Sequence, residues 1–272
     1  MKISLPMRKE NEKMAQKGKH VKTSSSYSIK KFILFIFELT SIVVIVRSST
    51  EIYLWHEDNK KNENLLNKIS SNINIDESKD NKDINKYDID FEALKKTNED
   101  TIAWLKVEGT QIEYPVVKTT NNDFYLNHDL DKSKNSAGWI FMDYTNKLNG
   151  TDKNIVIYGH NRRDGSMFGT LKNILNKEWY ENENNKYITF INENQKSKYE
   201  IFSIYEIERE DYYIKTDFND DFEEFITKIK SRSIKNFSTE VTSEDEILTL
   251  STCADNNQYR VVLHAKKLNN IF

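Results

Sequence analysis

The chain holds a single cysteine, Cys253, among 272 residues. One cysteine excludes an internal disulfide, and with it the small disulfide-stapled scaffolds. Two prolines and seven glycines exclude collagen-like and Pro/Gly-rich low-complexity chains. Arginine is scarce beside lysine and asparagine is abundant, a bias of base composition to which no function attaches. No internal repeat is present. What is there suffices for a core: 37% hydrophobic and 12% aromatic residues, against 31% charged. The length suits one ordinary domain with extra segments, or two small domains.

A net charge of −3 conceals an asymmetry. Residues 1–31 carry nine Lys or Arg and two Glu, so the head is basic and the remainder acidic. A nucleic-acid binder would carry its basic patch on the folded part, so this distribution argues against one. Behind the head lies one apolar run, KFILFIFELTSIVVIVR, residues 31–47, with Glu38 inside it. The run is short of the roughly 20 residues of a spanning helix. Snorkelling of Lys31 and Arg47, with Ile52, Tyr53, Leu54 and Trp55 at the interface, would complete it. The expectation is a cytoplasmic basic tail (1–31), an uncleaved single-pass membrane anchor (32–55) and a body outside the membrane. A cleaved signal peptide and a buried core helix are the alternatives.

Residues 56–88 are polar and charged, and read as a stalk with one weak helix near Leu65, Leu66 and Ile69. From residue 89 the texture changes. Phe91, Leu94, Ile102, Trp104 and Leu105 suggest short helical segments leading into a domain that runs to residue 272. Apolar runs of strand length follow at 112–117, 138–143, 154–159, 187–191, 199–207, 246–252 and 260–268, separated by polar turns. Two helices are expected between them. One covers 167–180; the other covers 221–233, with Asp220 as its N-cap and Phe222, Phe225, Ile226 and Ile229 on one stripe. The fold class is mainly β, a barrel or sandwich with inserted helices.

Chemistry concentrates in EILTLSTCADNNQYRVVLHAKKL, residues 246–268. Period-two alternation puts Ile247, Thr249, Ser251 and Cys253 on one side of a strand. If the flanking strands pair antiparallel across the polar loop Ala254–Tyr259, Cys253 and Arg260 meet at matching strand ends. A neighbouring cation lowers a thiol pKa and stabilises an oxyanion. A lone cysteine outside the membrane is a nucleophile or an intermolecular partner; the plainer alternative is a small buried hydrophobe. A cysteine nucleophile needs a base, most often histidine. His20 lies in the head, His56 in the stalk, His128 in a polar loop and His264 inside the last strand. His160 differs, because it ends the apolar strand NIVIYG and opens the polar loop HNRRDGSMF.

TLSTC, with an arginine opening the next strand and YGHN upstream, resembles the sortases, membrane-anchored cysteine transpeptidases of Gram-positive bacteria. YPVV, NNDFYL, FMDY and the helix ahead of the cysteine strand are similar to class B in particular. The resemblance covers roughly residues 88–272. It implies an eight-stranded β-barrel with N-terminal helices and an inserted helix before the cysteine strand. It also implies Cys253 as nucleophile, His160 as general acid/base, and Arg260 as the group holding substrate and oxyanion. Asn122, Leu126, Tyr158, Tyr213, Ile214 and Ser251 map onto the substrate groove, although Leu126 and Ile214 read equally as core and Tyr158 as a strand aromatic.

The implied reaction cleaves a C-terminal sorting pentapeptide, of NPxTx or related type, after threonine. The acyl group passes to a peptidoglycan amine, which anchors surface proteins to the cell wall. The partners implied are secreted proteins bearing that signal and the wall precursor or cross-bridge amine. No metal or organic cofactor is needed, and no nucleic acid. A cysteine peptidase or amidase using water would employ the same dyad. An anchored, non-enzymatic binding module with an inert cysteine is the reading from another class.

Overall fold

The computed structural model describes residues 24–79, 83–253 and 258–269. Most of the basic tail and the loop residues Ala254 to Asn257 lie outside them. Helix α1 runs Ser24–Ser70. A two-stranded hairpin follows, β1 (Ile73–Ile75) with β2 (Tyr87–Ile89), and then helix α2 (Phe91–Thr97). Asp90 caps α2, accepting the Ala93 N–H at 2.9 Å. Eight further strands close into a barrel: β3 (Thr101–Val107), β4 (Glu113–Val117), β5 (Phe141–Met142), β6 (Asn154–Gly159), β7 (Tyr187–Asn192), β8 (Lys196–Glu208), β9 (Ile247–Cys253) and β10 (Tyr259–Lys267). Their order around the barrel is β10-β8-β7-β3-β4-β5-β6-β9. The pairs β4/β5 and β6/β9 are parallel and the rest antiparallel. The mainly β class expected from the strand pattern and the eight-stranded barrel implied by the resemblance are both observed.

The membrane anchor is corrected. Among the described residues no helix is long and apolar enough to cross a membrane. The apolar run sits inside α1 with Glu38 within it and Lys31 and Arg47 at its ends, and its side chains from Phe32 to Phe37 are exposed. At 1.5 Å per residue, about fifteen residues span roughly 22 Å, short of a hydrocarbon core of about 30 Å. A single-pass location with the body outside is therefore not supported.

A compact unit begins at Trp55. The segment expected as a stalk contributes to it: Leu65 and Ile69 of α1 are buried in the main core with Tyr87 and Trp104. Asn62 is also buried, accepting from the Asn135 side chain at 2.9 Å. The polar sequence conceals this, because only one narrow stripe of the helix is apolar.

Each strand of the β9/β10 hairpin faces two layers. Leu248, Leu250, Val261, Leu263 and Ala265 point into the barrel. Ile247 and Val262 point outward, against Phe202, Tyr205 and Tyr213 and against helix α4 (Phe222–Ser231). Phe222, Phe225, Ile226 and Ile229 of α4 are buried there, each contributing about 1.5–3 kcal/mol by area burial. The inserted helix thus roofs the outer face of the strand that carries Cys253.

Three local expectations differ. TIAWLKV is the strand β3 rather than a helix; nearly every side chain is buried, so no period of two shows in the sequence. The helix expected over 167–180 is a 3-10 turn, Leu171–Leu175, and a four-residue helix α3, Lys177–Tyr180, because Asn176 between them is extended. The N-cap of α4 is Asp221 rather than Asp220, and its carboxylate pairs with Lys215 instead of capping.

Candidate active site

Three strand ends meet at one edge of the barrel, and the register says how. β9 lies between β6 and β10. On one side Cys253 is the partner of Arg260. On the other, Tyr158 pairs with Ser251 and Gly159 with Thr252 in parallel, so His160 and Cys253 are the next residues of the two strands. The backbone therefore sets position 253 between an imidazole and a guanidinium. Alternation along β9 gives Ile247, Thr249 and Ser251 one face, the outward one, on which Tyr213 packs.

A cavity of about 240 Å³ opens at this edge, and His160 and Arg260 line it. All six groove candidates, Asn122, Leu126, Tyr158, Tyr213, Ile214 and Ser251, line it as well. Sequence reasoning missed Phe141, Gly159, Arg209, Glu210, Asp211 and Thr252 on the same walls. Only Gly159 and Thr252 carried a signal, as neighbours of His160 and Cys253.

His160 is held from below. Its Nε2 lies 2.7 Å from the Leu126 carbonyl oxygen. A carbonyl only accepts, so Nε2 carries the proton and Nδ1 is the nitrogen left to exchange one. Gly138 makes room for the ring: a Cβ there would stand 2.9 Å from His160 Cδ2 and 2.5 Å from the Tyr125 carbonyl, at φ +59°. Gly159 is packed as closely, since a Cβ would meet Ile140 Cδ1 at 2.5 Å and Phe168 Cγ at 2.7 Å. Arg260 is half-buried and donates from Nη1 to the Tyr259 carbonyl at 2.9 Å.

One wall of the cavity is the segment that bears Tyr213 and Ile214, and a buried chain fixes it. Tyr213 Oη lies 3.0 Å from Ser251 Oγ. Asn154 Nδ2 donates to the Lys215 carbonyl at 2.9 Å and the Tyr213 carbonyl at 3.4 Å. Its Oδ1 accepts the Thr249 hydroxyl at 2.6 Å. That hydroxyl, its own proton engaged, accepts from His264 Nδ1 at 2.8 Å, and Tyr205 donates to His264 Nε2 at 2.8 Å. Burial, with Arg232 adding to it, pushes His264 down to about 3. His264 is a neutral structural link, as its place within a strand suggested.

The opposite wall is organised by Asp143, which accepts from Asn122 Nδ2 and from Tyr158 Oη, each at 2.8 Å. Burial, then the adjacent Asp143 charge, raises the Tyr158 phenol well above its usual range. The remaining histidines stand elsewhere. His128 stacks on Phe124 and bonds the Phe124 carbonyl at 2.7 Å, while His56 lines a separate cavity with Trp55. Among the described residues no group of three or more His, Cys, Asp or Glu suits a metal ion.

Residues 105–268 match the family described as the sortase domain. The chain belongs to the sortase family. Sortase B of Listeria monocytogenes is 35% identical over 245 residues, covering 88% of this chain and 98% of that protein. Sortase B of Staphylococcus aureus is 32% identical over 243 residues, with 88% and 97% covered. Among solved structures, Clostridium perfringens sortase B superposes with a TM-score of 0.62 at 41% identity, covering 66% of this chain and 100% of that one. A Staphylococcus aureus sortase B–substrate complex gives 0.62 at 32% identity, with 82% and 98% covered. This sortase is accordingly a class B cysteine transpeptidase built on the eight-stranded barrel.

Proposed function

We propose that this sortase cleaves a C-terminal sorting signal after threonine and transfers the acyl group to a peptidoglycan amine, with Cys253, His160 and Arg260 as its working groups. The Cys253 thiolate attacks the threonine carbonyl, and Arg260 balances the charge that develops on the carbonyl oxygen. Imidazolium His160 gives the leaving amine a proton from Nδ1, the C–N bond breaks and a thioester remains. An acceptor amine then attacks the thioester, His160 takes its proton, and the thiolate departs.

The observation that carries this reading is the register. The position of the only thiol is the partner of an arginine on one side and in line with a histidine on the other. The cavity at that edge is lined by polar side chains such as Asn122 and Ser251 beside apolar ones such as Leu126 and Ile214, a mixture that suits a peptide. In this reading Asn122, Leu126, Tyr158, Tyr213, Ile214 and Ser251 bind the substrate, and their place on the cavity walls supports that role. Threonine-containing pentapeptides incubated with the full chain and an excess of a glycine-peptide amine provide the test. Cleavage with ligation to the amine is expected, and both are lost in Cys253→Ala and His160→Ala. Cleavage with water alone as acceptor would make the chain a peptidase. Undiminished turnover in Cys253→Ala would remove the nucleophile.

A further inference from the structure

Asp143 follows β5, bonded to two residues that line the groove, and is 5% exposed. Four hydrogens are aimed at its two oxygens. Oδ2 receives the Tyr158 hydroxyl and an Asn122 Nδ2 hydrogen, both at 2.8 Å. Oδ1 receives the Thr145 N–H at 2.9 Å and the Thr145 hydroxyl at 2.5 Å. With that proton used, Thr145 Oγ1 accepts from Thr216 Oγ1 at 2.7 Å, which ties the Asp143 turn to the chain just beyond Ile214. Asn122 is held at its other end too, its Oδ1 accepting the Tyr144 N–H at 2.9 Å. One carboxyl group thus anchors two groove side chains and links the two walls.

This arrangement fixes what Tyr158 can offer a ligand. A phenol has one hydrogen and two lone pairs. The hydrogen is spent on Asp143, so toward the cavity the oxygen presents lone pairs only. We propose that Asp143 is a positioning residue that sets the hydrogen-bond polarity of the groove: it makes Tyr158 an acceptor, so the substrate group seated there must supply a hydrogen.

The level of that group follows from the strands. Tyr158 and Ser251 are register partners, each two residues before His160 and Cys253, about 7 Å along the strand. The side chain seated there is, in this proposal, that of the residue whose carbonyl is attacked. Under the function proposed above, on which this inference rests, that residue is threonine, and its hydroxyl donates to Tyr158 Oη. Valine has the same shape without the hydrogen, and would leave the lone pairs of that half-buried oxygen without a donor. A site built to bond a substrate hydroxyl rejects the analogue lacking it far more strongly than an apolar pocket can.

The experiment compares two pentapeptides, identical except for threonine or valine at the cleaved residue, with the full chain and a fixed acceptor amine. Wild type should favour threonine in kcat/KM by about a hundredfold or more. In Asp143→Asn the new carboxamide can donate to Tyr158, freeing the phenol hydrogen, and the ratio should drop by about tenfold or more, carried by KM for the threonine peptide. Tyr158→Phe should show the same loss, and the double variant no further loss, since Asp143 acts through Tyr158. Tyr158→Phe carries the test alone if Asp143→Asn does not fold. Iodoacetamide alkylation of Cys253 at wild-type rate in the variants separates the effect from damage to the thiol. A wild type that cleaves no threonine peptide removes the proposed function and this inference together. A wild type that cleaves, with an unchanged threonine-to-valine ratio in the variants, or with additive losses, overturns the inference alone.

Discussion

At the residue scale, the site depends on close approaches as much as on reactive groups. Gly138 sits under the His160 ring at a left-handed φ of +59°. Gly138→Ala adds about 1–2 kcal/mol of backbone strain and a methyl against the Tyr125 carbonyl and the imidazole. A fall in kcat together with a lowered unfolding midpoint is expected; an unchanged kcat would mean the ring does not need that floor. Asn154 works from the other side. Removing its carboxamide deletes the Asn154 hydrogen bonds to the Tyr213 and Lys215 carbonyls, a loss of about 1–3 kcal/mol. Asn154→Ala should therefore raise KM for substrate peptide, read by steady-state kinetics. Such residues were hard to find in the sequence. His160 and Arg260 announced themselves by ending and opening apolar strands. Asn154 and Asp143 are ordinary polar letters at strand ends, and their partners lie on segments distant in the chain.

At the element scale, α4 shows how an insertion serves the barrel. Its apolar stripe was legible because spacing alone marks Phe222, Phe225, Ile226 and Ile229, and the structure buries those four. Phe225 meets four rings, Tyr212, Phe218, Phe222 and His264. Phe225→Ala should lose about 3–5 kcal/mol in denaturant unfolding. It should also loosen the Tyr213 wall, seen as a higher KM; wild-type stability would show that the helix is not part of the folded unit. Strands β6, β9 and β10 were equally legible, because their outer ends alternate or stop at glycine. β3 was not, since a strand covered on both faces loses its period and reads as any buried run. The break at Asn176 was hidden too, because helical spacing of apolar residues survives in a succession of turns.

At the scale of the whole molecule, the folded unit reaches back to Trp55. A chain starting at Trp55 should keep the unfolding midpoint of the full chain. One starting at Ile73 loses Leu65 and Ile69 from the core and should be markedly less stable by thermal unfolding. Composition hid that boundary, because a polar helix with one apolar stripe resembles a stalk. The apolar run upstream misled for the opposite reason, since hydropathy without length does not make a span. Barrel closure also has a pH signature. His264 titrates near 3 when folded and near its ordinary 6.5 when unfolded, so between those values the unfolded chain binds more protons. Stability should be full above about 6.5 and decline as pH falls toward 3, and His264→Gln should flatten that part of the curve in urea titrations. The central claim, that the thiol at the end of β9 works between His160 and Arg260, is tested most directly by the intact mass of the chain quenched in acid during turnover of a threonine pentapeptide. An acyl adduct that maps to Cys253, and accumulates when the acceptor amine is withheld, is the expected result. An adduct on any other residue, or turnover with no adduct in either condition, would contradict it.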